Sequence, residues 1–442
     1  MNRRRFLQAV GVGAVTALAG CPNNGMDDPP ASDRADPPIA RADFDRVVNV
    51  VQAGADATGK KPIDSVLNRE LRDGTLFVFP DGRYAIDGFD VSGSPRVGMV
   101  AAEGATPMLV PTTSAPNTEH TLLEATSVKA FLFDGFVLDF RRKGYGGRVF
   151  AMTDGPLTVR NVRTLGKYPR KSIGFHFAVR DRGSDGLIQN VVAPQGGRPG
   201  GESVGMFVDR RHAGDLLVRN CHLERFPNNG LYASAPGGDG GLPIGRGRVR
   251  VHGGYYRNNN ISNVRLGGEG SEARGVTVAV DEVPPHNELN ARGVLLQNGR
   301  NLLVEDCKIV IGKKAGYSLG AVVFHEDAAT ATIRNTQIVM DRDDLPAINA
   351  RKPARNLSGA TGANFQNVSI TGTASGGRTV VVENRDGTRV RDCKFVQSGD
   401  DRSGIVFSRS DDCVVARSTI DVTGDAIATP NSTIRRRKLI IR

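Results

Sequence analysis

The chain has no tryptophan, and only 6% of its 442 residues are aromatic. A site that grips neutral sugars by broad stacking surfaces is therefore poorly supplied. Lysine is scarce too: 12 of the 58 basic residues are lysine and the remaining 46 are arginine. The five cysteines are not spaced with histidine as a zinc site requires. There is no calcium loop of regularly spaced acids and no glycine-rich phosphate loop ending in Lys-Ser or Lys-Thr. Long apolar runs are missing as well. The longest, Phe6 to Ala19, is too short to span a bilayer as a helix.

What is abundant is glycine, 54 residues, within a chain that is 39% hydrophobic. That is too apolar for disorder and too rich in glycine for a helical bundle. An all-β fold with many turns is expected. The net charge is +11, carried mainly by arginine. Its planar fork binds carboxylate, sulfate or phosphate through paired hydrogen bonds. An anionic partner follows.

A repeat organises the chain. The segment LLVRNCHLERFPNNGLYAS at 216–234 sets two short apolar runs around a polar corner. Related corners are Asn161, Asn190, Asn220, Asp306, Asn335, Asn367 and Asp392, mostly 25 to 32 residues apart. The wide gap between Asn220 and Asp306 holds a weaker copy at 249–256. Such a period predicts a solenoid of stacked coils. Asn and Asp suit its corners because they tolerate left-handed backbone and bond nearby main chain. Cys221, Cys307 and Cys393 each directly follow a corner, so they share one register in separated coils. Their α-carbons stand about 10 Å or more apart, beyond disulfide reach. Buried free thiols are expected, Cys413 included.

The N-terminus reads as an export signal over 1–21. Arg3-Arg4-Arg5 before Phe6-Leu7 resembles a twin-arginine motif, and Leu18-Ala19-Gly20-Cys21 resembles a lipoprotein box with Cys21 lipidated. The implied location is the outer face of the cytoplasmic membrane, with residues 22–45 as a disordered tether. An exported protein leaves no nucleic-acid partner for the basic run Arg435 to Lys438. That run is read instead as protection of an edge strand.

Between residues 46 and 92 come VVNV, GADATGK, an amphipathic turn and GTLFVFPDGRYAI. Gly54-Ala55-Asp56, Thr58-Gly59, Gly74-Thr75, Pro80 and Gly82 to Tyr84 resemble the N-terminal cap of the pectate-lyase superfamily. That resemblance implies a single-stranded right-handed parallel β-helix over 46–442, closed by an N-terminal capping helix. The superfamily includes lyases, hydrolases, epimerases, phage spikes and non-enzymes. Calcium serves many of its lyases and is compatible with the scattered aspartates here.

Aligning the Gly-apolar-x-apolar units places His176, Phe207, Tyr232 and Arg265 in one outward file, with Asp209, Arg210, Arg211 and His212 continuing the second strand. Later coils are read as apolar in this file, through Val322, Val381 and Val406. Long loops at 194–202, 235–247 and 281–291 flank it. The leading expectation is a monomer that acts on or binds acidic polysaccharide, with β-elimination by a lyase as its expected chemistry. Such chemistry needs a cation for the substrate carboxylate, a base for the C5 proton and an acid for the leaving oxygen. Arg210 or Arg265 is the candidate cation, and His176, His212 and Tyr232 are the candidate base and acid. Asp209 and Arg211 are candidates for substrate binding. One alternative is a non-catalytic cell-surface polysaccharide binder. Another is a polygalacturonase-like hydrolase using Asp411-Asp412, although neither Gly-His-Gly nor Arg-Ile-Lys follows that pair.

Overall fold

The computed structural model describes residues 37–93, 95–237 and 245–442. The expected signal, Cys21 and the tether up to residue 36 lie outside them, as does 238–244 of the loop at 235–247. No helix among the described residues is long and apolar enough to cross a membrane.

Every strand pair in the ladders is parallel, and each coil contributes strands to three faces. The front face is a sheet of 13 strands, from Phe89–Val91 to Ile427–Ala428. The other two faces together hold 28 strands, joined where Leu157–Gly166 and Asp185–Ala193 each run through a corner. The molecule is a right-handed parallel β-helix, as expected.

Alternation builds the core. On neighbouring front strands Phe175, Phe177, Met206 and Val208 point inward and are fully buried, while His176 and Phe207 point outward. Each inward side chain adds about 1.5–3 kcal/mol of apolar burial, and its neighbours are its counterparts in the coils above and below. The N-terminal end is closed by the helix Asp64–Glu70, which packs Val66 and Leu67 onto the first coils. The preceding turn is tied by Asp56, which accepts hydrogen bonds from Thr58, Lys60 and Lys61 backbone N–H groups. Lys60 and Lys61 therefore leave this turn intact although they alter the usual sequence.

All seven predicted corner residues have left-handed backbone, with φ between 49° and 57°. Side-chain amides bond along the stack: Asn190 Nδ2 donates to Asn161 Oδ1 at 3.1 Å, and Asn367 Nδ2 to Asn335 Oδ1 at 3.0 Å. The wide gap contains two corners, Gly253 and Gly275, with φ of 63° and 62°. Glycine needs no side-chain bond to hold that backbone, so the second of these coils carries no polar mark in the sequence. Cys221, Cys307, Cys393 and Cys413 are buried and free. Burial pushes the Cys221 and Cys307 thiols up to about 12, so they are inert.

One boundary is corrected. The tether does not extend to 45, because Ile39 and Phe44 are buried against Leu76, Val100, Ala130 and Leu132 on the outside of a side face. Gly98 makes this fit possible: a β-carbon there would stand 2.9 Å from the Phe44 ring.

Candidate functional site

The outward file of the front face is set by strand register. From the N-terminal end it reads Asp90, Glu124, Phe150, His176, Phe207, Tyr232, Arg265, Leu295, Val323, Asn349, Val381, Val406 and Ala428. The structure thus aligns His176, Phe207, Tyr232 and Arg265. Val322 is corrected: it faces inward and pairs with Ile348, leaving Val323 in the file. An extra residue follows Gly320 there, so counting from the glycine misses by one.

The first part of the file is a continuous stack. The Arg148 guanidinium lies 4.4 Å from the Phe150 ring centre. The Phe150 ring stacks on His176 at 4.3 Å, and His176 meets Phe207 edge-on at 4.8 Å. Phe207 meets Tyr232 at 5.0 Å, and the Arg265 guanidinium covers Tyr232 at 4.1 Å. Most polar groups here are occupied by one another or closed off from solvent. His176 Nε2 donates to Asp209 Oδ2 at 2.9 Å, and Arg211 donates to Asp209 Oδ1 from Nε at 2.8 Å and from its backbone N–H at 2.9 Å. Burial favours a protonated Asp209, but the bonds from His176 and Arg211 outweigh it and hold the carboxyl well below its usual range. Burial also lowers the pKa of His176, against the opposing pull of Asp209. Its Nδ1 is buried without a partner, so neither ring nitrogen is offered to a ligand. Asp209 and Arg211 are engaged with each other and with His176, which leaves little of either for substrate.

His212 is a further correction. It is fully buried, its Nδ1 accepts the Val179 N–H at 3.2 Å, and its Nε2 donates to the Arg248 carbonyl at 3.1 Å. Both nitrogens join main chain of neighbouring coils, so this ring is a structural staple rather than an acid or base. Arg210 is exposed on the turn after the strand Val204–Val208, with its carbonyl receiving the Gly245 N–H at 2.7 Å. It stands beside the file, not in it.

The second part of the file differs in kind. Arg265 donates from Nε to Ser234 Oγ at 2.8 Å, and Arg292 donates to the Ile261 carbonyl at 3.2 Å. Arg351 directly follows the strand Ile348–Ala350, near enough for its charge to act on Arg292. Among the described residues, none of these three arginines has a carboxylate within 4.0 Å, whereas Arg257, Arg250 and Arg417 are each paired. Burial, then the nearby charges of Arg265 and Arg351, push the Arg292 pKa down to about 10. Arg292 Nε is also buried without a partner.

His325 lies among these cations. Its Nδ1 is 3.2 Å from Asp327 Oδ2, and among the described residues its Nε2 has no partner. Burial lowers its pKa, Asp327 and Glu326 pull it up, and Arg351 and Arg265 push it down; the balance is downward. The ring is thus neutral near pH 7, with one nitrogen anchored and the other free.

Beneath this part sits Arg385, fully buried. It donates from Nε to the Arg351 carbonyl at 2.7 Å and from Nη2 to the His325 carbonyl at 3.2 Å. Nη1 is shared among the carbonyls of Ala328, Ala329 and Thr361. Arg385 therefore fixes the main chain that carries both His325 and Arg351.

Arg292, His325, Arg351 and Arg385 escaped the sequence reading because none is the central outward residue of its strand. The run FHEDA at 324–328 was the available signal. The proposed hydrolase pair does not face the groove. Asp411 accepts from Thr433, and Asp412 is held by Arg389 and Arg435, at the corner before the side-face strand Cys413–Ala416. Calcium takes six to eight oxygens, and among the described residues no three His, Cys, Asp or Glu side chains gather as ligands.

No protein-family model matches the chain, and no curated protein matches it. Among solved structures it is similar to the A-module of the mannuronan C-5 epimerase AlgE4 of Azotobacter vinelandii, at 14% identity and a TM-score of 0.44 over 88% of this chain and 100% of that one. It is similar to PfbA, a surface adhesin of Streptococcus pneumoniae, at 11% and 0.41 over 89% and 93%. A family 28 exopolygalacturonase of Yersinia enterocolitica matches at 12% and 0.39 over 90% and 78%.

Proposed function

We propose that the front face binds acidic polysaccharide and breaks it by β-elimination, in a protein exported by the twin-arginine route and anchored through Cys21. The observation that carries this reading is the group Arg265, Arg292 and Arg351, which has no carboxylate partner within 4.0 Å among the described residues. A partly buried cation cluster is unfavourable until a ligand supplies the opposite charge. A uronate carboxylate does so.

Neutralising that carboxylate acidifies the neighbouring C5–H. His325 Nε2 takes the C5 proton, the electron pair forms the C4–C5 double bond, and the C4–O bond breaks. The Tyr232 hydroxyl, next to Arg265 in the file, gives a proton to the leaving oxygen. Proton transfer by a positioned group contributes about a hundredfold or more.

The test is incubation of the protein with polymers of galacturonic, mannuronic and guluronic acid, followed by ultraviolet absorbance of the unsaturated product. His325→Gln should lower the elimination rate about a hundredfold or more while binding persists. New reducing ends without absorbance mean hydrolysis. Binding without either product means a cell-surface binder, the reading favoured by the sealed state of His176. No binding of any acidic polymer removes the proposal.

A further inference from the structure

We propose that a cleft beside the front face is a second anion site, holding the acidic sugar next to the one bound by Arg265 and Arg292. This rests on the front face being the polysaccharide site. The cleft encloses about 490 Å³ and is bounded by Glu326, Arg351, Lys352, Arg355 and Glu383, with Pro353 and Ala354 as its apolar surface. Arg351 belongs to both places, so the two are continuous.

The charges in the cleft are unequal. Glu383 is occupied by Arg409, whose Nη2 is 2.8 Å from its carboxylate. Among the described residues Glu326 has no cation within 4.0 Å, and it faces Arg351, Lys352 and Arg355 across the cleft. The cations attract an acid group, and the free carboxylate of Glu326 accepts hydrogen bonds from sugar hydroxyls. Both are needed for an acidic sugar, whereas a simple inorganic anion would be repelled by Glu326.

The cleft is built before any ligand arrives. The loop 351–362 that forms it is a long insertion between strands, yet its backbone is fastened at several points. Arg385 takes the carbonyls of Arg351 and Thr361, and the Ala354 N–H donates to the Glu326 carbonyl at 2.9 Å. From the other side, Arg300 donates to the carbonyls of Ser358 and Ala360. Two arginines from different coils thus hold one loop, and ordering it on binding adds no entropy cost. Adjacent anion positions select a chain in which neighbouring sugars both carry an acid, over one with an acid on every second sugar.

The test measures binding of uronic-acid disaccharides and hexasaccharides, and of an alternating acidic–neutral hexasaccharide, to the full-length protein by calorimetry. In the double variant Lys352→Ala, Arg355→Ala, hexauronate affinity should fall about tenfold. Affinity for the disaccharide, which spans both positions, should fall with it, and affinity for the alternating oligomer should be unchanged. Arg265→Ala should weaken binding of all three. If the double variant keeps wild-type affinity for hexauronate while Arg265→Ala loses it, the cleft proposal fails and the front-face reading stands. An equal loss for the alternating oligomer overturns the selection of adjacent acids. If the unmodified protein binds no acidic oligosaccharide, both readings fall together.

Discussion

Between Phe150 and Phe207 the outward side chains of the front face are stacked on or hydrogen-bonded to one another or to Asp209; between Arg265 and Arg351 the cations have no carboxylate partner among the described residues. The first stretch stacks aromatic rings, seals His176 against Asp209 and ties Asp209 to Arg211. The second sets three arginines near one another without a carboxylate and leaves one nitrogen of His325 free. Both stretches lie on successive strands of the same sheet, so the fold does not distinguish them. Partnering does. A polar group already satisfied by its neighbours has little to give a ligand, and one held unsatisfied by the surrounding structure has much.

The sharpest way to break this contrast is to remove the support under the open stretch. Arg385→Met should leave the carbonyls of His325, Ala328, Ala329, Arg351 and Thr361 without their donor. We expect a loss of about 3 kcal/mol or more, read from chemical unfolding. A stability equal to wild type would mean that the open stretch needs no internal clamp.

Next in size is a paired comparison of ligand affinity. Arg265→Ala should weaken binding of an acidic polysaccharide about tenfold to a hundredfold. His176→Phe, in the sealed stretch, should leave it unchanged. The contrast collapses if the histidine variant binds as poorly as the arginine variant in titration.

The smallest effect is a pH dependence confined to the sealed stretch. His176 has an ordinary pKa of 6.5 that burial lowers in the folded chain. The unfolded chain therefore binds more protons, and stability falls as pH drops below 6.5. Asp209 is depressed from 3.8, so its contribution is present above that value and lost below it. Thermal unfolding of His176→Phe from neutral to mildly acidic pH should show a flatter decline than the wild type. A parallel decline would assign the acid sensitivity elsewhere, for example to Glu272, which burial would raise but His252 and Arg274 bring down to about 2.

The fold was legible because it is written in backbone demands. Left-handed corners favour Asn, Asp or Gly, and seven of these, mostly at a steady interval, cannot be accidental to a helical or globular chain; Arg417 and Lys438 hold the last two corners with φ of 48° and 50° and left no such mark. Where Gly253 and Gly275 replaced Asn, the marker vanished and one coil was missed. The site was less legible for a related reason. Strand alternation predicts which residue points outward, and it found Tyr232 and Arg265. It is silent about whether a neighbour in another coil has already taken that residue's hydrogen bonds. His176 and His212 look equally available in the sequence; Asp209 and two main-chain groups decide otherwise. Arg385 is further from reach, since its partners are up to 60 residues away and all are carbonyls.

The corner stack has a consequence for how a polymer is measured. Coil lengths vary because loops are inserted, but register at the corners keeps neighbouring strands at about 4.8 Å. The front face is thus a ruler whose graduations are set by the main chain and are indifferent to loop size. A sugar chain whose own repeat differs from that graduation comes into step with it over a short span and drifts out again. Matching groups all along the face would be wasted on such a ligand. A few cations bunched around Arg265, Arg292 and Arg351 suit it better.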